Sequence, residues 1–392
     1  MGRVLPFDYA VRNLGRRPFR TAITALSSAL VAALLVATTA FVRGLGGTFS
    51  GAAQEDTAIL LSTVAERDVV RSTVTAGLPE LVAASVPGVL QISGMPAISA
   101  EIHMGTNLRL GAGPDAPGSE PLAGFVRGVT ERAFLVHEAV TLIEGRTPRT
   151  GEVIVGRMVA AQLGVEESEL ALGRKLRFEG STFEIVGRFA APGTTIEAEI
   201  WTPLAELRGL TKRDDSSVAF VRMESADGFA DLELFTRRRL DLELTMIPSS
   251  TYYRELSEYF GPIRALAWAM ASLIVLGALF GGANTLNAAV QDRLRELAAL
   301  RAVGYSGVAL IRSLAQESLV IAASGGLCGL LLARLFLAGS SVRIAMSAFA
   351  LQVDAAAILV GFGGALLLGL VGTTPAALRV LRMPIAAALK EP

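Results

Sequence analysis

Residues 265–290 read ALAWAMASLIVLGALFGGANTLNAAV, from Ala265 to Val290 between Arg264 and Asp292, without one Asp, Glu, Lys or Arg. At about 1.5 Å rise per residue such a run crosses a hydrocarbon core of about 30 Å. Working outward, three more runs behave the same way. Ala22 to Val42 lies between Arg20 and Arg43, and Ala355 to Leu378 between Asp354 and Arg379. Ser318 to Ala333 lies between Glu317 and Arg334, and it reaches spanning length if its helix begins near Arg312. Buried helices of water-soluble domains seldom stay uncharged for so long. The first run also admits reading as a cleaved signal peptide. Its apolar length exceeds the usual h-region of about 7–15 residues, and a leader of some twenty residues precedes it, so a span is the better reading.

Composition agrees with the runs. Of 392 residues, 52% are hydrophobic and only 18% charged, with 36 basic and 36 acidic residues. A soluble domain carries about 25% charged residues. Zero net charge gives no bulk attraction to nucleic acid. One cysteine excludes an internal disulfide framework, and with two histidines it excludes the usual His/Cys metal sites.

The arginines orient the chain. Arg3, Arg12, Arg16, Arg17 and Arg20 precede the first span against Asp8 alone. Arg293, Arg295, Arg301 and Arg312 lie between the second and third spans. Arg379, Arg382 and Lys390 follow the fourth. Both termini and the second loop are therefore expected in the cytoplasm. The expected fold is an integral membrane α-helical protein with four transmembrane helices in a 1+3 arrangement. A large extracytoplasmic α+β domain lies between the first and second helices. The divisions are a leader at 1–20, a span at 21–43, the extracytoplasmic domain at 44–260 and a span at 263–290. There follow a cytoplasmic coupling helix and loop at 291–308, a span at 309–336, an external loop at 337–353, a span at 354–378 and a tail at 379–392.

Inside residues 44–260 the apolar runs are short. Ala58 to Leu61 reads as a strand, Leu78 to Ala84 as a helix with Pro79 in its first turn, and Gly88 to Ile92 as a strand. Ser217 to Met223, Ala226 to Arg237 and Asp241 to Met246 read as strand, helix and strand. These two units, one early and one late, suggest two halves of one α+β subdomain. Between them come a strand at Val153 to Gly156, a helix at Met158 to Leu163, and a hairpin of Lys175 to Phe178 with Phe183 to Val186. Gly111 to Pro121 reads as a mobile loop, and Tyr252 to Arg264 as a helical stalk bent at Gly261-Pro262.

The loop after the second span carries Leu294, Leu297 and Leu300 three apart, an apolar stripe on a helix that Gly304 stops. Physics alone leaves two readings open: a helix lying on headgroups, or a docking helix for a cytoplasmic partner. His103 and His137 read as surface or satisfied side chains, with no third ligand type near them. Glu317 needs a partner near the membrane, and Arg312 or Arg20 would serve. Asn284 and Asn287 would hydrogen-bond across helices, and Cys328 reads as packing. No Ser/His/Asp arrangement and no catalytic carboxylate pair stands out.

Arg295-Glu296-Leu297-Ala298-Ala299-Leu300-Arg301-Ala302-Val303-Gly304 resembles a motif of the FtsX-like, or MacB-type, ABC transporter permeases. Gln316-Glu317-Ser318, then Gly325-Gly326-Leu327-Cys328-Gly329, continues the likeness. So do the leader Ala10 to Thr21, the ending Pro384 to Leu389, and Glu144-Gly145-Arg146 with Gly151 to Gly156 in the large domain. Tyr305 departs from it, since a small residue is usual there, and Thr63 to Pro121 does not align. The resemblance implies a permease whose extracytoplasmic domain moves when a separate ATPase subunit closes on ATP, a mechanism called mechanotransmission. It implies that Arg295, Glu296, Leu300, Arg301 and Gly304 contact the ATPase. It implies an inner-membrane location, a second permease (identical or a paralogue), surrounding lipids and, in some members, a periplasmic adaptor. Gly325, Gly326 and Gly329 permit close helix packing or a dimer contact. The sequence holds no Gly-x-x-x-x-Gly-Lys-Ser/Thr loop, so ATP and Mg are expected at the partner ATPase, and no enzyme activity in this chain. The substrate would be a lipid, a lipoprotein or a small hydrophobic compound. The alternative is an FtsX-like regulator of external cell-wall hydrolases.

Overall fold

The computed structural model describes residues 14, 18–111, 120–344 and 347–382. The leader arginines Arg3, Arg12, Arg16 and Arg17, most of the loop from Gly111 to Pro121, and the ending Pro384 to Leu389 lie outside the described residues. The chain forms two units: Gly44–Gly261 with Ser341–Ala350, and a helical unit made of the rest.

In chain order, helix α1 (Pro18–Ser50) leads into β1 (Thr57–Ser62), α2 (Leu78–Ser85), β2 (Gln91–Ile92), β3 (Met95–Pro96), β4 (Ile98–Leu110) and β5 (Leu122–Val129). Then come α3 (Ala133–Val136), β6 (Thr141–Gly145), β7 (Glu152–Gly156), α4 (Val159–Leu163), β8 (Lys175–Phe178), β9 (Ser181–Ala190), β10 (Ile200–Pro203) and α5 (Leu204–Thr211). The α+β unit ends with β11 (Val218–Arg222), α6 (Phe229–Arg238), β12 (Leu244–Pro248) and α7 (Ser249–Tyr259). There follow α8 (Gly261–Gln291), α9 (Leu294–Ala302), α10 (Gly307–Leu337), the hairpin β13 (Ser341–Ile344) and β14 (Ser347–Ala350), α11 (Ala355–Gly372) and α12 (Thr374–Arg382).

The early and late strand–helix–strand units do join. β1 lies between β11 and β12, and β11 pairs with the first residues of β4, all antiparallel. Ala58 and Leu60 pack with Leu78, Val82, Leu232 and Phe235 on one face. Ile59 and Leu61 pack with Phe220 and Ile247 on the other. Every residue of β1 is buried, which is why it reads as a continuous apolar run rather than an alternation.

The second half of β4 opens another structure. It pairs with β5, β5 with β10, β10 with β7, β7 with β9, β9 with β8, and β8 returns to β4 at Leu110 and Arg109. This closed ring of strands encloses Ile102, Val126, Val153, Phe183 and Ile200. Between β8 and β9, Glu179 (φ 47°) and Gly180 (φ 79°) form the two-residue turn. Two successive positive φ angles match the strands' right-handed twist.

Four helices among the described residues are long and apolar enough to cross a membrane: Thr21–Ser50, Gly261–Ala288, Gly307–Leu337 and Ala355–Arg382. α1 therefore runs past Arg43, and α10 already contains Arg312 and Glu317. Glycines set the close approaches. A Cβ on Gly325 or Gly329 would overlap the carbonyl oxygen of Ala25 or Ala29 on α1. One on Gly326 would come 3.1 Å from the Ala365 Cβ of α11. All three therefore serve packing within this chain. Ser28 Oγ adds a 3.0 Å bond to the Ala322 carbonyl across the α1–α10 contact. The stalk breaks as its Gly-Pro pair predicts, with α7 ending at Tyr259 and α8 starting at Gly261. Cys328 is exposed rather than packed.

Candidate functional site

The helix α9 forms because Leu294 to Ala302 is rich in Leu, Ala and Arg, all good helix formers. It stops where Gly304 takes φ 103°. Ser306 then caps α10, its Oγ accepting from the Ala309 backbone N–H at 3.2 Å. The apolar stripe of α9 is already occupied. Leu297 and Ala298 are buried with Val290, Leu310 and, from α12, Ala376 and Val380, while Leu294, Leu300 and Tyr305 pack at the edge of this cluster. The unusual Tyr305 thus has a packing role. Arg301 Nη1 donates to the Val380 carbonyl at 3.2 Å, joining α9 to α12.

Among the partners of Glu317 is an arginine that neither expectation named. Arg293, just before α9, donates to its two carboxylate oxygens at 3.2 and 3.5 Å, with the guanidinium itself buried. Arg293 is placed by the turn between α8 and α9, a position that linear spacing from Glu317 does not reveal. The expected coupling residues consequently divide. Arg295, Glu296 and Gly304 are exposed, together with Ala299, Ala302 and Val303. Leu300 and Arg301 are half-buried and held by their own chain.

In the α+β unit the structure gathers charges that the sequence reading had separated. Glu101 and His103 alternate onto one face of β4, Arg127 lies on β5, and Glu199 and Trp201 come from β10 and the residue before it. His137 follows α3. Neither histidine is on the surface: they are 4% and 5% exposed, and Glu101 is 0% exposed. Glu101 accepts from Arg127 Nη1 at 2.8 Å, His137 Nε2 at 2.8 Å and His103 Nε2 at 3.2 Å. Arg127 Nη2 donates to Glu199 at 2.6 Å, and Trp201 Nε1 donates to the other Glu199 oxygen at 3.0 Å. His103 stacks on Phe220, and His137 meets that ring edge-on.

Burial alone would raise the Glu101 carboxyl. The fields of His137 and Arg127, with the hydrogen bonds from His103 and His137, outweigh it and hold the group well below the usual carboxylate range. Burial, then the Arg127 charge, pulls His103 below its ordinary value against the pull of Glu101. Arg127 is raised, since Glu199 and Glu101 overcome the cost of burying it. Nothing here resembles a metal site: no group of three His, Cys, Asp or Glu that could hold an ion occurs among the described residues. The sequence signal for this cluster was a carboxylate and a histidine two apart inside a buried strand, Glu101 and His103, echoed by Glu199 and Trp201.

Comparison with known proteins gives a family. Residues 21–233 match the model for the MacB-like periplasmic core domain, and residues 268–385 match that for the FtsX-like permease C-terminal region. Among solved structures, the periplasmic region of MacB from Actinobacillus actinomycetemcomitans is 11% identical, with TM-score 0.39, over 52% of this chain and 94% of that one. The extracellular domain of the noncanonic ABC-type transporter YknZ from Gram-positive bacteria is 17% identical, with TM-score 0.36, over 49% of this chain and 99% of that one. A search of curated proteins finds no match. With one model covering more than half of the chain and a second covering the helical part after it, the protein belongs to the family of FtsX-like, MacB-type ABC transporter permeases.

Proposed function

We propose that this chain is the membrane permease subunit of an ABC transporter in a bacterial inner membrane, with both termini cytoplasmic. It converts ATP hydrolysis by a separate ATPase subunit into movement of its periplasmic domain. The work done is export or extraction of a lipid, a lipoprotein or a small hydrophobic compound. The observation that carries the reading is the two-sided α9. Its apolar face is anchored to α12, while Arg295 and Glu296 on its other face, and Val303 and Gly304 just past its end, are exposed. A helix so anchored passes a push on to its neighbours instead of sliding over them.

Docking by this outward face differs from docking by the leucine stripe. Arg295 and Glu296 would orient the helix in an ATPase groove, with ATP and Mg bound by that partner. A second permease, identical or paralogous, has room along α8. There Leu273 and Phe280 are 70% and 73% exposed, and Gly277 and Gly281 face open space. A periplasmic adaptor remains a partner of the same scheme, and lipids cover the rest of the helices.

The test is co-purification with the cognate ATPase. Glu296→Lys and Arg295→Glu, both on exposed side chains, are expected to leave the permease folded and to reduce complex formation and ATPase stimulation together. Unchanged binding and stimulation in both variants would remove the coupling assignment. Leu300→Asp is the weaker probe, because it also disturbs the packing of α9 on its own chain.

A further inference from the structure

The ring of strands closes on a pair of like charges. β4 and β8 meet through Arg109 with Arg177 and Leu110 with Leu176, and the Gly111 N–H extends the contact by donating to the Lys175 carbonyl at 2.8 Å. Alternation along the strands sets which side chains face outward. Leu108, Leu176, Phe178, Phe183 and Ile185 are buried inside the ring. Arg109, Lys175, Arg177, Thr182 and Glu184 therefore share its outer surface, where Arg177 is half-buried and the other four are exposed.

Direct antiparallel partners hold their Cβ atoms about 4.5–5.5 Å apart, and like charges so placed are destabilising. On the far side of β8, Arg177 is paired with Thr182 and Lys175 with Glu184. The carboxylate of the turn residue Glu179 accepts from Thr106 Oγ1 at 2.7 Å. Among the described residues neither Arg109 nor Arg177 forms an ion pair. On the paired positions, three cations thus stand against one carboxylate, an excess of two positive charges beside the Thr182 hydroxyl. Guanidinium groups present planar forks of donors that match the oxygens of a phosphate two at a time. A phosphate monoester carries about two negative charges near neutral pH and three acceptor oxygens, which fits both the excess and the donors.

We propose that this seam binds a tetrahedral oxyanion of two charges, a phosphate either free or at the end of a larger molecule. The anion lies between the guanidinium groups of Arg109 and Arg177, with Thr182 as a further donor. It joins β4 to β8 and so holds the ring shut. The site is on the outer surface of one unit and does not depend on coupling to an ATPase.

The experiment uses the full chain in a maltoside detergent, which carries no phosphate. Hydrogen exchange is followed by mass spectrometry in peptides covering residues 105–111 and 174–178, with ionic strength held constant by chloride. At inorganic phosphate about ten times its dissociation constant, exchange through ring opening should slow about tenfold, and sulfate should act in the same way. Arg109→Gln and Arg177→Gln should each abolish this protection. Without phosphate both variants should exchange no faster than the parent, because each removes one half of the repelling pair. Arg238→Gln, at an exposed position on α6, should keep the full phosphate effect. Faster exchange of both ring variants without phosphate would make the two arginines packing residues and overturn the proposal. So would equal protection by chloride, which would be simple screening, or no protection by any anion. Glycerol phosphate and dihexanoyl phosphatidic acid distinguish the sources. Tighter binding of the second assigns the phosphate to a lipid headgroup, and equal binding assigns it to a water-soluble anion; both outcomes support the seam as the site.

Discussion

Arg127 and Glu101 illustrate how a buried charge is tolerated. Glu101 has three donors around it, and Arg127 has two carboxylates, so each charge is met by hydrogen bonds rather than by water. Glu101→Ala is expected to destabilise the protein by about 3–5 kcal/mol, because Arg127 and His137 lose their shared acceptor. Chemical denaturation followed by near-ultraviolet dichroism would measure it. By contrast, Arg239→Ala, which breaks an exposed pair with Asp241, is expected to change nothing measurable. The same cluster sets a pH window. Glu101 and His103 both have lowered folded values, so both bind fewer protons folded than unfolded. Stability from them is full above about pH 6.5 and drains away as pH falls through the histidine and then the carboxylate range. Burial pushes Tyr252 up to about 12 and raises Tyr253 as well, so these bind more protons folded than unfolded. Stability is therefore lost again as pH rises above about 10. Thermal unfolding of the whole chain between pH 4 and about pH 11 should give this plateau with two falling edges. Monotonic behaviour would contradict it. At this scale the sequence was least legible. Glu101, Arg127, His137 and Glu199 lie tens of residues apart, and only strand pairing brings them together.

Elements were more legible, because their signals are local. The apolar runs became helices of spanning length, Pro79 sits at the start of α2, and Glu179-Gly180 makes the β8–β9 turn. What local signals could not supply was the use of each face. The leucine stripe of α9 reads equally well as lying on headgroups or as docking a partner until α12 is seen against it. The glycines of α10 likewise reveal their partner only in the fold. Gly329→Leu is expected to push α10 away from α1, since even a Cβ overlaps the Ala29 carbonyl. A cysteine pair placed across that contact should cross-link readily in the parent and poorly in the variant. Leu297→Ala, on the buried side of α9, should cost about 2–5 kcal/mol and raise proteolysis after Arg301. Glu296→Ala on the outer side should do neither.

For the whole molecule, two facts lay beyond sequence reading. One is the closed ring of strands, whose last pairing is only Arg109 with Arg177 and Leu110 with Leu176. The other is that the hairpin β13–β14, a connection between two spanning helices, belongs to the α+β unit. Phe349 is 4% exposed and lies against Gly44 at the start of that unit's share of α1. Phe349→Ala is expected to destabilise the α+β unit by about 3–5 kcal/mol and to speed hydrogen exchange in residues 44–50. Unaltered exchange there would show the hairpin to be a mere connector.

The pairing of β1 has a consequence for how the protein is made. The ring of strands uses only residues between Ile98 and Pro203, so it can close once that stretch has emerged from the ribosome. β1 emerges earlier, yet its partner β11 comes about 160 residues later and β12 later still. Loop closure over that distance is slow, and an apolar strand left unpaired is prone to aggregate. The early strand must therefore wait until the far end of the domain arrives to pair with both its edges.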